Sequence, residues 1–564
     1  MKKIITLLLA VFMTICTFGV VGCSNNQELD GNKTQLYVHN YNGGVGEKWI
    51  KDVKASFEAK YEKKSFQAGK TGVQIILDSS KGKTGRTILS GIKTDPNEVF
   101  FTQEVLYYDY VGQNAVLPLN DLLEKKNPED NDKTILSKFT AEDVENLTVN
   151  GNIYAIPYYE AYNGLSYDAT MFKNQNLYFS DKIDTADTKY PGTRAFVNKI
   201  NPTLSCGPDG IKNTYDDGLP SSFDELLKLC DKMNDNEVKA VVWASSSVHY
   251  TNILLSALYA SYMGKDGLDA HMNLDSNGKP VEIITGFNGE TPVVENIVIT
   301  KENSYLLRQS AALYYSLNVC AKLYGNEKYC YSESLGGNLT YIGAQEAFVN
   351  SGLKSGYEEV GLIIEGNYWF NEATDFEVIS EAKKYPDFTN KDIKFLPLPN
   401  KAHGTVEEGQ GSSPTLVDSY NSFAFIKSNI APEKIELAKT FLAYCNTDAQ
   451  LLNFTSKSNG LIRGLNYDFN SLDNLGGFAE STLAIRDAAK KGGTFVRGIS
   501  NSSSYMKNTM MFTLSGNADF WNSEKCGDGY NYLYYAVNTD KKSAKDYFDG
   551  MKFTKEEWDN KFVK

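Results

Sequence analysis

The sequence predicts an α/β fold with a largely parallel sheet, on two observations: strand-like apolar runs alternate with amphipathic helical runs, and glycine-rich loops join them. A third observation sets the scale. With 564 residues, 41% hydrophobic, the chain is too long for one small core and suggests a large two-lobed body or several domains.

The first unit is QLYVHNYNGGVGEKWIKDVKASFEAKY from Gln35: an apolar strand, a loop at Tyr41-Asn42-Gly43-Gly44, then a helix. Trp49, Val53 and Phe57 recur every four residues and mark its buried stripe. GVQIILD at 72–78 supplies a second strand, and a helix and turn lead into a third that ends at Gln103 and Glu104. Loops after such strands cluster where α/β sheets bind ligands. After the Asn150-Gly151 turn, IYAIPYYEAYNGLSYD contains Pro157 and reads as a long strand joining two bodies.

PSSFDELLKLCDKM at 220–233 opens with Ser222 and has Glu225 three residues on, a capping-box pattern. Phe223, Leu226, Leu227, Cys230 and Met233 form its apolar face. VVWASSSVHYTNILLSALYASYMG follows as strand, polar loop and helix, with Trp243 and His249 flanking the loop. A further strand ends at Gly366, KFLPLPN and NSFAFIK are short strands, and APEKIELAKTFLAYCNTDAQLLNF is helical with Ile435, Ala438, Phe441, Leu442 and Cys445 on one face. No internal repeat divides the chain.

Composition narrows the partners. A formal net charge of -13 disfavours nucleic acid. Tyrosine dominates the aromatics, 36 Tyr and 29 Phe against 5 Trp, and its flat face with a hydroxyl suits amphipathic ligands as well as ordinary cores.

At the N-terminus, Lys2 and Lys3 lead into an apolar stretch from Ile4 to about Val21, which reads as an export signal over 1–22. Val20-Val21-Gly22-Cys23 resembles the lipobox of bacterial lipoproteins, in which the cysteine receives lipid before cleavage. Cys23 is therefore the expected lipidation site, residues 23–33 a flexible tether, and the location the outer face of the cytoplasmic membrane. Losing residues 1–22 removes two lysines and moves the charge from -13 to -15. Six further cysteines, Cys206, Cys230, Cys320, Cys330, Cys445 and Cys526, permit disulfides in that compartment, with Cys320 and Cys330 the shortest closure. Cys230 and Cys445 lie on apolar helix faces and read as buried thiols.

Taken in order, YNGGVGEKWIKDVKASFEAKY, GNIYAIPYYEAYNGLSYDATMF, LPSSFDELLKLCDKM, VGLIIEGNYWFNEA, IKFLPLPN and APEKIELAKTFLAYCNTDAQLLNFTSKSNGLIRG resemble the family 1 extracellular solute-binding proteins of ABC importers. That resemblance implies a type II periplasmic-binding-protein-like fold, two α/β lobes joined by hinge strands around a central cleft. By the same analogy, 34–157 plus 395–448 form the N-terminal lobe and 158–394 plus 449–564 the C-terminal lobe. It also implies a non-enzymatic, monomeric lipoprotein that captures a carbohydrate, expected to be an oligosaccharide, for ABC permease subunits, without a cofactor. The alternatives are a surface glycoside hydrolase and a binder of a peptide, polyol or metal.

A sugar site needs aromatic platforms ringed by amides or carboxylates. Tyr368 and Trp369 after Gly366 resemble the family's sugar-stacking segment, with either ring as the platform and a core role as the alternative for Trp369. Glu372, Tyr41, Asn42, Tyr159, Trp243, Gln103 and Glu104 complete the expected ligand-binding set. Asp209, Asn213, Asp216 and Asp217 are a weak candidate for a structural calcium, off the EF-hand register and set against a plain turn. Glu365 with Glu372 is the pair that hydrolase chemistry would need. No G-x-S-x-G, H-E-x-x-H or C-x-x-C occurs.

Overall fold

The computed structural model describes residues 28–246, 250–418, 420–472, 475–497 and 533–560. Cys23, the signal segment, Cys526 and His249 lie outside the described residues. Nine strands build the two larger sheets: β1 Thr34–Asn40, β2 Val73–Asp78, β3 Val99–Thr102, β4 Ile156–Pro157, β5 Asn163–Asp168, β6 Lys239–Val242, β7 Val360–Gly366, β8 Ile393–Leu396 and β9 Phe423–Ile426. The first sheet has the order β2-β1-β3-β9-β4 and the second β8-β5-β7-β6. The expected parallel pairing holds for β1 with β2 and β3, and for β7 with β6. The strands that enter from the opposite body reverse it: β9 runs antiparallel to β3 and β4, and β5 runs antiparallel to β7 and β8.

Local sequence accounts for the flanking helices. In α1, Lys48–Lys60, the buried face is Trp49, Ile50, Val53 and Phe57. Each such side chain contributes about 1.5–3 kcal/mol on burial. Helix Phe223–Asp235 starts where Ser222 predicts, its side chain accepting from the Glu225 N–H. Glu225 does not complete the box. Its carboxylate, buried, accepts instead from Ser221 and the Arg194 N–H. The long tyrosine-rich strand expected at 153–168 is two short ones, because 158–162 leaves the first sheet and enters the second.

Two separate hydrophobic cores result. One draws on Leu36 to Ala161 and on Tyr420 to Leu465, and the other on Tyr162 to Val417 and on Phe478 to Trp558, with Tyr368 reaching into the first. The chain thus passes between cores at 161–162, between Val417 and Tyr420, and between Leu465 and Phe478. The return to the first core comes later than residue 395, because β8 pairs with β5 in the second sheet. Residues 449–465 pack with the first core as well, through Leu451 and Phe454, whose ring meets Trp49 edge-on at 5.3 Å.

Buried charge ties these crossings together. Arg486 Nε donates to Glu160 at 2.6 Å, and Lys490 Nζ donates to the same carboxylate at 2.9 Å. Arg497 pairs with Asp143 and, at 2.6 Å, with Asp418, whose other oxygen accepts from the Ala161 N–H at 3.1 Å. Burial alone would raise the Glu160 carboxyl, but Arg486 and Lys490 hold it well below the usual range. Asp418, buried and close to Glu160 and Asp143, is pushed up to about 6 against the pull of Arg497.

The five described cysteines are free and buried, so Cys320 and Cys330 do not bridge; the Cys330 thiol donates to the Leu323 carbonyl at 3.4 Å. Among the described residues no helix is long and apolar enough to cross a membrane.

Candidate ligand cleft

The carboxyl ends of β1, β2 and β3 and the loop after β7 meet where the two bodies face each other. They line a cavity of ≈ 300 Å³ with Tyr41, Gly43, Lys81, Gln103, Tyr250, Tyr341, Tyr368, Glu372 and Tyr420. Loops at strand carboxyl ends converge there for the reason α/β sheets generally bind at that edge.

From the first body, Tyr41 follows β1 and its N–H donates to the Phe101 carbonyl at 2.8 Å. Gly44 has φ +79, and a Cβ there would stand 2.8 Å from Tyr368, so the loop needs glycine to let that ring in. Gln103 directly follows β3 and its side-chain carbonyl accepts from the Tyr159 hydroxyl. Glu104 sits at φ 59, a left-handed conformation costly for a side-chain-bearing residue, held by its N–H donating to the Tyr420 carbonyl at 2.7 Å.

From the second body, Tyr368 precedes α2, Trp369–Asp375, and shares a 2.8 Å hydroxyl contact with Tyr420. Asn371 Nδ2 donates across to the Gly44 carbonyl at 2.9 Å. Lys48 pairs with Asp375 at 3.1 Å, and Lys81 pairs with Glu372 at 3.1 Å. Gln345 donates to the other Glu372 oxygen at 3.0 Å and to Glu365 at 3.4 Å.

Burial sets the protonation of this lining. It raises the Tyr250, Tyr368 and Tyr420 hydroxyls well above the usual tyrosine range, with nearby Glu365 or tyrosines adding to it. Tyr41 is raised too, by burial first and then by Glu104 and Glu372. All four remain neutral hydroxyls that both donate and accept. Burial and then the Glu372 charge also drive Glu365 upward, favouring its neutral form.

Of the residues singled out from sequence, Tyr41, Gln103, Tyr368 and Glu372 line the cavity. Asn42 and Glu104 are half-buried neighbours of that lining, and Tyr159 stands behind Gln103, 1% exposed. Trp369 is not a platform. It is fully buried, packs edge-on to Phe348 and Phe478, and donates from Nε1 to Ser166 at 3.0 Å. Trp243 is likewise core, between Tyr324 and Tyr534. In the 209–217 turn the carboxylates cap the loop's own amides: Asp209 N–H to Asp216 at 2.8 Å, and Asn213 N–H to Asp217 at 2.8 Å. Among the described residues no group of three or more His, Cys, Asp or Glu is arranged to hold a metal ion. Sequence reading missed Lys81, Tyr250, Tyr341 and Tyr420. The first lies in a glycine-flanked lysine turn, SSKGKTG, and the tyrosines open helices or a crossing, so only their place in the fold brings them together.

Residues 48–297 match the family described as bacterial extracellular solute-binding protein. Solved solute-binding structures share the two-lobed fold over nearly the whole chain. A chitin oligosaccharide binding protein is 13% identical, with a TM-score of 0.55 over 92% of this chain and 98% of its own. RafE in complex with raffinose is 12% identical, with a TM-score of 0.54 over 92% of this chain and 100% of its own. Maltose-bound MalE3 of T. maritima is 12% identical, with a TM-score of 0.52 over 92% of this chain and 98% of its own. No curated protein matches the chain.

Proposed function

We propose that the protein captures a carbohydrate, an oligosaccharide by preference, and hands it to an ABC permease. The observation that carries this reading is the cleft lining: five tyrosines with Gln103 and Glu372 between two bodies. Tyrosine rings offer flat apolar faces to sugar C–H groups, and their hydroxyls, the amide and the carboxylate pair sugar hydroxyls that would otherwise be buried unsatisfied. The solved relatives of like fold, which bind chitin oligosaccharide, raffinose or maltose, support the same ligand class. The two cores act as lobes that rotate about the three crossings, closing on the ligand. The chain works as a monomer tethered through lipid on Cys23 outside the cytoplasmic membrane, and returns its ligand unaltered.

A calorimetric screen with maltotriose, cellotriose, raffinose, xylotriose and chitotriose tests this. At least one is expected to bind saturably and to be recovered intact by chromatography. Tyr41→Ala with Tyr341→Ala, two half-exposed lining residues, is expected to abolish that binding while the thermal midpoint changes little. Shortened products would favour the hydrolase reading, whose Glu365 is fully buried and absent from the cavity lining. Unchanged affinity in the double variant would remove the site assignment.

A further inference from the structure

We infer that the cleft takes uncharged saccharides and rejects anionic ones, because its basic and acidic side chains are committed to each other across the two bodies. This inference rests on the carbohydrate reading and deepens it. Among the described residues, Lys81 is the one basic residue lining the ≈ 300 Å³ cavity and Glu372 the one acidic residue. Lys81 Nζ donates to Glu372 Oε1 at 3.1 Å. The same ammonium lies 4.0 Å from the centre of the Phe376 ring, so two contacts from the second body hold a first-body lysine. Glu372 Oε2 accepts from Gln345 Nε2 at 3.0 Å. Among the described residues, no cation in the lining is left to meet an anionic guest.

The pair spans the bodies, so ligand charge and closure are coupled. A carboxylate or sulfate in the cleft would draw Lys81 from Glu372. Closing around it would then leave Glu372 in a dry pocket with Gln345 as its remaining partner, an uncompensated buried charge. Glu104 adds to the repulsion, since its carboxylate lies close enough to raise the Tyr41 hydroxyl. Glu365, buried beside Glu372 and reached by the same Gln345 amide at 3.4 Å, supplies no positive charge to replace Lys81. An uncharged sugar leaves the Lys81 pair intact and meets the tyrosine hydroxyls and Gln103.

The test uses the lipid-free mature chain with matched ligands: maltotriose, cellotriose and mannotriose, and each of them oxidised to the uronate at C6 of every ring. Calorimetry of the unaltered protein is expected to give a Kd for the best neutral trisaccharide at least about tenfold below that of its uronate. Glu372→Gln, which frees Lys81 while keeping the shape, is expected to shrink that ratio by about tenfold or more. A uronate that binds the unaltered protein as tightly as its neutral parent overturns the inference and leaves the carbohydrate reading standing. So does a ratio unmoved by Glu372→Gln in a variant whose thermal midpoint shows it folded. If none of these, nor raffinose, xylotriose or chitotriose, gives heat, both the inference and the reading under it fail.

Discussion

Charged groups join the two bodies in two places, and the places are built differently. At the crossings, Glu160, Asp418, Arg486 and Arg497 are each no more than 5% exposed and every carboxylate has two or more partners. At the cleft rim, Lys48 with Asp375 and Lys81 with Glu372 each join one lysine to one carboxylate, and the lysine side chains are 56% and 36% exposed. Removing one partner of a buried network costs several kcal/mol, whereas a wet pair is worth little. On the proposed closure, the crossings hold through every cycle of opening, while the rim pairs break at small cost only once opening lets water reach both partners. A binding protein needs both: a fixed axis and a reversible edge.

The sharpest way to break this comparison is Glu160→Gln, which leaves Arg486 and Lys490 facing an uncharged partner in the dry crossing. We expect a loss of about 3–5 kcal/mol in denaturant unfolding. A loss below about 1 kcal/mol would put the crossing in the same class as the rim. Next is pH. Asp418 is raised to about 6 in the folded chain against about 3.9 unfolded, so the folded state holds the proton more tightly and this group's contribution to stability falls as pH rises from about 4 to about 6. Glu160 runs the other way: its carboxyl is depressed, so its contribution is present above about pH 4.3 and is lost on acidification. Asp418→Asn is expected to make the stability of the protein rise more steeply with pH across the 4 to 6 window, read as thermal midpoints at fixed salt.

A smaller effect is expected at the rim's close approach. Gly44→Ala puts a Cβ 2.8 Å from Tyr368 at φ +79, costing roughly 1–2 kcal/mol in stability and weakening ligand binding by pushing the bodies apart. The smallest is Lys48→Ala, expected to change stability by under about 1 kcal/mol and only at low salt.

How far the residues announced this arrangement follows the range of the forces involved. Local patterns carried α1, the Ser222 cap, β1 to β3 and the buried faces of Cys230 and Cys445, because period and capping are read within a few neighbours. The antiparallel entry of β5 and β9 was not legible, since strand direction depends on which body the chain has come from. Nor was the choice between Tyr368 and Trp369. One residue apart at the start of a helix, they face opposite ways, the ring of Tyr368 toward Gly44 and Tyr420, that of Trp369 into Phe348 and Phe478. The partnership of Lys81 with Glu372 joins residues 291 apart and has no sequence signal at all.

Amide hydrogen exchange with and without the tightest-binding trisaccharide tests the central claim most directly. Enclosure between the lobes predicts slowed exchange at 41–44, 81–85, 341–345, 368–373 and 420–422 together, on both sides of the cleft. Protection confined to one body, for instance at the open groove of ≈ 680 Å³ beside Tyr178 and Tyr215, would contradict it.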